Sequence, residues 1–274
     1  MKRILCLALL TLSSVAQADG KLIGTAGVST IEGAGGGGIV PWALISGYAT
    51  RDELGGAAFY SNLTVDDYAV NVAGVSVGFN NRLEVVYAHH DFEIKASDTH
   101  IVQNIFSVKY RVFGDAIFSS APQLSIGIQH KRLQDSDVAF SVGAADDTGT
   151  DVYLAATKVW LDGVFHRTTL LNATARLTKA NQTGILGFGG QSSNDYKLQL
   201  ELAAGVFLTR KLAIGMEYRQ KPDNLGLGED DWQDFWIAYF ISKRFSVTGA
   251  YVDLGSIAGV PGQNGMYLSV QLSL

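Results

Sequence analysis

The chain has 274 residues, of which 47% are hydrophobic, with 31 glycines, 4 prolines and 21 basic against 26 acidic side chains, a formal net charge of −5. That acidic balance disfavours nucleic acid as a partner. No apolar run after residue 18 reaches the ~20 residues a membrane helix needs, which excludes an α-helical membrane protein.

In chain order, Lys2 and Arg3 precede an apolar core from Ile4 to Leu12 and a small-residue site at Ala16-Gln17-Ala18. This predicts a secretory signal peptide over 1–18, cleaved before Asp19. Cys6 leaves with it, and 19 basic against 26 acidic residues remain, a net charge of about −7. An exported chain without disulfides needs either a large core or a hydrogen-bonded ladder closed on itself in lipid.

Residues 19–38 end in the glycine run Gly33 to Gly38. It contains a formal G-x-G-x-x-G, but Pro41 and an alternating stretch follow where a dinucleotide fold requires a helix. The segment reads as a glycine-rich periplasmic stretch or a plug in the lumen.

From 39 to 274 the pattern predicts an all-β, transmembrane, antiparallel up-and-down barrel of about 12 strands, at 39–50, 68–79, 82–91, 104–113, 123–132, 150–159, 166–178, 196–207, 211–220, 233–242, 245–254 and 266–274. Connectors at 51–67, 92–103, 133–149, 179–195, 221–232 and 255–265 are long and polar, and the intervening ones are short. Sorting of loops by parity is expected of outer-membrane barrels, with short periplasmic turns, longer outer loops and both termini in the periplasm; a soluble sandwich has no reason for it. In the last strand Leu268, Val270, Leu272 and Leu274 alternate with Ser269, Gln271 and Ser273, and such an edge must pair with another strand. Aromatics near strand ends predict two interfacial girdles: Trp42, Phe79, Tyr87, Phe113, Trp160, Phe165, Tyr196, Phe207, Trp232, Phe235, Phe245 and Tyr251.

Alternation turns Glu84, Lys109, Arg111, Gln129, Lys131, Arg176, Glu201, Glu217 and Arg219 toward the lumen. A lumen of mixed charge either pairs nearly shut or leaves a thin polar path. The outer connectors are acidic, but no fixed ligand spacing appears in them, so neither a metal nor a cofactor is expected. The histidines at 89, 90, 100, 130 and 166 raise the question of a serine/histidine lipid hydrolase. His89 belongs with Leu83, Val85 and Tyr87 near the outer rim, and no nucleophile elbow accompanies it, so no enzyme is expected.

Six stretches taken together resemble an uncharacterised family of Gram-negative exported proteins, a domain of unknown function described as outer-membrane proteins. They are Gly38 to Arg51, Asp146 to Tyr153, Thr178 to Gln182, Leu186 to Gly190, Glu217 to Gly226 and Ala250 to Gly255. The resemblance implies export and a barrel, and supplies neither substrate nor mechanism. The chain departs from the commonest barrel pattern in ending on Leu274 where an aromatic usually stands. The motif residues Asp146, Asp147, Asn181, Gln182, Lys221, Pro222, Asp223 and Asn224 share one rim; they form either a folded constriction or ordinary turns. The expected function is passage of a small polar solute through the outer membrane. The alternatives are a non-conducting envelope-structural or surface-binding barrel and, third, a lipid-modifying enzyme. Expected partners are outer-membrane lipid and lipopolysaccharide, and the barrel-insertion machinery during biogenesis.

Overall fold

A computed structural model of the protein describes residues 20–274; the signal peptide expected over 1–18, and Asp19, lie outside the described residues. Twelve antiparallel strands close into a barrel: β3 (Leu54–Val65), β4 (Tyr68–Phe79), β5 (Leu83–Ile94), β6 (Thr99–Phe113), β7 (Gln123–Leu133), β8 (Thr148–Trp160), β9 (Thr169–Thr178), β10 (Lys197–Phe207), β11 (Leu212–Arg219), β12 (Trp232–Phe240), β13 (Phe245–Asp253) and β14 (Asn264–Ser273). Two shorter strands, β1 (Val28–Ser29) and β2 (Gly35–Gly36), pair separately. Each barrel strand pairs with its sequence neighbours, and β14 closes onto β3 in a register running from Gly265↔Val65 to Ser273↔Ala57. Closure leaves no strand edge, which is the condition for placing a sheet in lipid.

Alternation sorts the side chains. On β10, Leu198, Leu200 and Leu202 point outward and are exposed, whereas Glu201 and Ala203 are buried inside. On β14 the outward set is Met266, Leu268, Val270 and Leu272. A band of exposed apolar side chains therefore surrounds the wall. Nine of the aromatics expected in the girdles are on it: Phe79, Tyr87, Phe113, Trp160, Phe165, Tyr196, Phe235, Phe245 and Tyr251. Trp42 and Trp232 are buried inside instead, and Phe207 packs on Phe240 with ring centroids 6.0 Å apart.

The first strand differs from expectation. Residues 39–50 form no barrel strand, and β3 takes the place assigned to a long connector over 51–67. Its alternation is disguised: Gly55 to Ala58 are small, and beyond them the buried side is Phe59, Leu63 and Val65 while the outward side is Tyr60, Asn62 and Thr64. The same inversion runs through neighbouring strands, where Val70, Val72, Ala88, Phe92, Ile101 and Ile105 face inward opposite outward Asn71, His89, Asp91 and Asn104. This wall rises past the apolar band, so its polar residues face water and its apolar ones pack inside. The connector expected at 92–103 accordingly shrinks to a turn at 95–98 as β5 and β6 lengthen.

The rim opposite the C-terminus carries turns at 66–67 and 95–98 and long loops at 134–147, 179–196, 220–231 and 254–263; the long loops all lie among the strands from β7 to β14. The C-terminal rim has the connections 80–82, 114–122, 161–168, 208–211 and 241–244. The loop at 134–147 carries a short helix, α1 (Asp137–Ser141). Charge placed on the outward face at mid-strand meets hydrocarbon. Ile237→Lys should therefore cost roughly 2–4 kcal/mol in reversible unfolding from lipid vesicles, and an unchanged stability would put β12 outside the apolar band.

Candidate functional site: a plugged lumen

Residues 26–49 are all buried, and they run inside the barrel. The segment enters beside the C-terminal rim, where Lys21 Nζ donates to the carbonyls of Ile45 and Gly47 at 3.0 Å. It leaves at the same rim, where the Tyr48 N–H reaches the Leu274 carbonyl at 3.2 Å. Between them β1 and β2 form a small hairpin with Ile31, Glu32 and Gly33 at its tip. Of the two earlier readings of the glycine run, the geometry is that of a segment filling the lumen, and it extends past residue 38 to about Thr50, the part expected to be strand. The glycines allow close approach to the wall. A Cβ on Gly37 would fall 1.9 Å from Glu217 Oε1, and Gly33, with φ +89°, would press one against Val86 at 2.6 Å.

The wall holds this segment mainly through its backbone. Glu84 accepts the Gly35 N–H at 3.1 Å and the Ser46 N–H at 2.7 Å, and Lys109, 3.1 Å from Glu84, donates to the Gly35 carbonyl at 2.8 Å. Glu217 accepts the N–H groups of Gly38 and Ile39 at 2.7 and 2.8 Å. Thr174 donates to the Pro41 carbonyl at 2.8 Å, Thr157 accepts the Ala43 N–H at 2.7 Å, and Gln123 donates to the Ala43 carbonyl at 2.5 Å. Gln271 accepts the Ser29 N–H at 2.6 Å. A chain without a ladder of its own at these positions thereby satisfies its buried polar groups.

At the tip sits a charge cluster. Glu32, fully buried, pairs with Lys131, with Arg176 at 3.3 Å and with Arg219 at 2.8 Å. Asp151 lies 2.6 Å from Lys131 and 3.4 Å from Arg176, and Glu201 lies 2.5 Å from Arg176 and 3.4 Å from Arg219. Gln129 accepts from Arg176 at 2.5 Å, and the guanidinium stands 5.2 Å from the Tyr153 ring centroid. Three cations thus meet three carboxylates, and the buried cluster is neutral. Such a network persists only when complete, because removal of one partner leaves charge buried without compensation.

All nine expected lumen residues face inward. Eight are buried, and Arg111 is half-buried near the C-terminal rim, 3.2 Å from Asp115. Asp151 and Asp234 were missed although alternation on their strands places them on the same face. Glu32 had no signal, since its segment has no periodicity. His90 Nε2 donates to the Ile31 carbonyl, 2.8 Å away, inside the lumen. The other histidines bond outside it: His89 to Asn104 at 2.9 Å, His100 to Asp91 at 2.6 Å, His130 to Thr150 at 3.0 Å and His166 to Asp162 at 3.0 Å.

Over the opposite rim four long loops interlock. Asn224 donates to Asn181 Oδ1 and to the Lys179 carbonyl, both at 3.1 Å, while Lys179 pairs with Asp146 at 2.8 Å. Lys221 reaches the carbonyls of Leu254 and Ser256 at 3.1 and 2.9 Å and Glu229 at 3.2 Å; Glu229 also binds Gln182 and accepts the Ala258 N–H at 2.9 Å. Asp223 accepts the N–H groups of Leu227 and Gly228, and Asp147 accepts the neighbouring Thr148 hydroxyl, so these two serve their own loops. Pro222 is buried in the same assembly. Turns build the loops, and cross-loop bonds join them into a lid.

A closed twelve-strand barrel with an apolar belt, a charged interior and long loops on one rim is an outer-membrane β-barrel. Residues 25–271 match the family described as "Protein of unknown function (DUF3034)", and the chain belongs to that family. A comparison with curated proteins finds no match. Among solved structures the fold is similar to the KdgM porin, with a TM-score of 0.53 at 11% identity over 80% of this chain and 99% of that one. The KdgM porin in complex with disordered oligogalacturonate gives 0.52 at 12% identity over 80% and 99%. The outer-membrane protein Omp33 of Acinetobacter baumannii gives 0.51 at 10% over 82% and 100%.

Two outcomes follow from these contacts. Glu32→Ala leaves Lys131, Arg176 and Arg219 with one carboxylate too few, so it should cost about 3–5 kcal/mol, read as a lowered denaturant midpoint together with protease cleavage within 20–50. In the lid, burial raises the Glu229 pKa above the usual carboxylate value, against the pull of Lys221, whose own pKa burial lowers. The folded lid therefore binds this proton more tightly than the unfolded chain, and stability is lost as pH rises through the raised value. Wild type and Glu229→Gln should unfold at similar temperatures near pH 4, with wild type falling below the variant toward neutrality. A variant less stable than wild type at neutral pH would show that the ionised Glu229 stabilises the lid.

Proposed function

We propose that the protein is an outer-membrane channel for a small polar solute, closed in the described state by its own N-terminal segment. The C-terminal rim then faces the periplasm and the interlocked loops face outside. Outer-membrane lipid and lipopolysaccharide surround the belt, and the barrel-insertion machinery is the partner in biogenesis. The observation carrying this reading is the inner wall itself. Behind the plug it presents Glu84, Lys109, Gln129, Lys131, Arg176 and Glu217, side chains able to face water once the plug has gone. A barrel needed only as a wall could be filled more stably by apolar packing, since a buried ion network seldom outweighs it. Because the plug enters and leaves at one rim, it can withdraw without threading through the barrel.

The interlocked lid favours one other reading, a non-conducting barrel that serves the envelope structurally or binds at the surface. Planar-bilayer recording separates the two. The intact chain should conduct rarely, and a chain lacking residues 24–49 should conduct at least about tenfold more often, water replacing the lost hydrogen bonds. A deletion chain that inserts and never conducts would leave only the envelope role.

A further inference from the structure

Among the described residues, the buried acidic and basic side chains of the lumen wall and plug tip, apart from His90, are six carboxylates, Glu32, Glu84, Asp151, Glu201, Glu217 and Asp234, and four cations, Lys109, Lys131, Arg176 and Arg219. The ion pairs already described account for every one except Glu217 and Asp234. These two are directly opposed across β11 and β12 and are only 3% and 7% exposed. Glu217 Oε1 and both oxygens of Asp234 have no hydrogen-bond partner. Both carboxyl groups press on one plug residue: a Cβ on Gly38 would lie 3.3 Å from Asp234 Oδ2 and 3.5 Å from Glu217 Oε2.

The surroundings bring no free cation. Arg219, two residues along β11, is committed to Glu32 and Glu201. Ala203 on β10 and Val252 on β13 stand opposite the two acids. From β14, Tyr267 packs near Gly38 and bonds to Ser61; from the plug come Trp42, tilted at 50° to Trp236 with ring centroids 6.4 Å apart, and the paired Glu32. Two carboxylates placed this way repel one another if both are ionised, and they titrate as one unit. A single proton between them gives one free oxygen a donor and leaves one negative charge facing the two plug N–H groups. Loss of that proton buries a second negative charge with no cation beside it, which only water can solvate, and water reaches it once the stretch over it has moved.

We propose that the Glu217–Asp234 pair is a proton-controlled latch on the plug: holding one proton it keeps Gly37 to Ile39 against the wall, and losing it drives that stretch away. The latch gives a trigger to the plugged channel proposed above and rests on that reading for its consequence, though the plug's own movement can be measured without conduction. Hydrogen exchange at the Gly38 and Ile39 amides, corrected for intrinsic base catalysis, is followed from pH 5 to 9 in lipid nanodiscs. In wild type, protection should fall tenfold or more over one transition. In Asp234→Asn, which keeps the shape and removes one charge, the transition should vanish. Glu217→Gln is the second variant, used if the first does not fold, and should also abolish it. A flat wild-type profile, or the wild-type transition persisting in whichever variant folds, overturns the latch. Bilayer conductance is recorded in parallel: opening that follows the same transition supports both proposals. Loss of protection without conductance at any pH supports the latch and sinks the channel reading.

Discussion

Everything in this molecule depends on the pairing of β14 with β3. Hydrocarbon offers no hydrogen bonds, so a sheet can lie in it only when its two edges satisfy each other. The Gly265↔Val65 to Ser273↔Ala57 register does this, and the Leu274 carbonyl takes the N–H groups of Gly56 and Tyr48 as well. One end of the ladder thereby also anchors the exit of the plug. Wall and plug are joined at a single rim.

Closure creates the second constraint, a lumen lined by charge. Charge in a water-poor interior must find a partner, and the protein supplies one from outside the wall by inserting Glu32 among Lys131, Arg176 and Arg219. The plug is in this sense a counter-ion carried on a backbone. Its glycines let the chain approach the carboxylates of Glu84 and Glu217 closely enough for main-chain N–H groups to serve as donors. The wall and the plug are therefore complementary in charge almost everywhere, and the excess is concentrated at Glu217 and Asp234.

The lid answers a different need. Four loops joining β7 to β14 lie over a mouth whose remaining side is raised by the long strands β3 to β6. Lys221 gathers carbonyls from one loop, a carboxylate from its own and the Gln182 side chain from a third, so one amine joins three segments distant in sequence. The fold is shared with porins of low sequence identity, whereas this arrangement of plug and lid follows from the chain's own residues.

Local pattern was enough to determine much of this. Period-two alternation specifies a closed all-β barrel, eleven of its twelve strands and the inward direction of all nine charged or amide side chains read from it. Those properties are local because each residue's face depends only on its place in its own strand. The first strand was not legible, since β3 begins with small residues and inverts its polarity where the wall leaves the lipid. Whether a face is buried there depends on what packs inside it. The role of Glu32, the pairing that neutralises the lumen and the two acids left without a cation also needed the closed structure. They arise from residues brought together across the barrel, such as Glu32 and Arg219, whose separation of 187 positions leaves no trace in any local period.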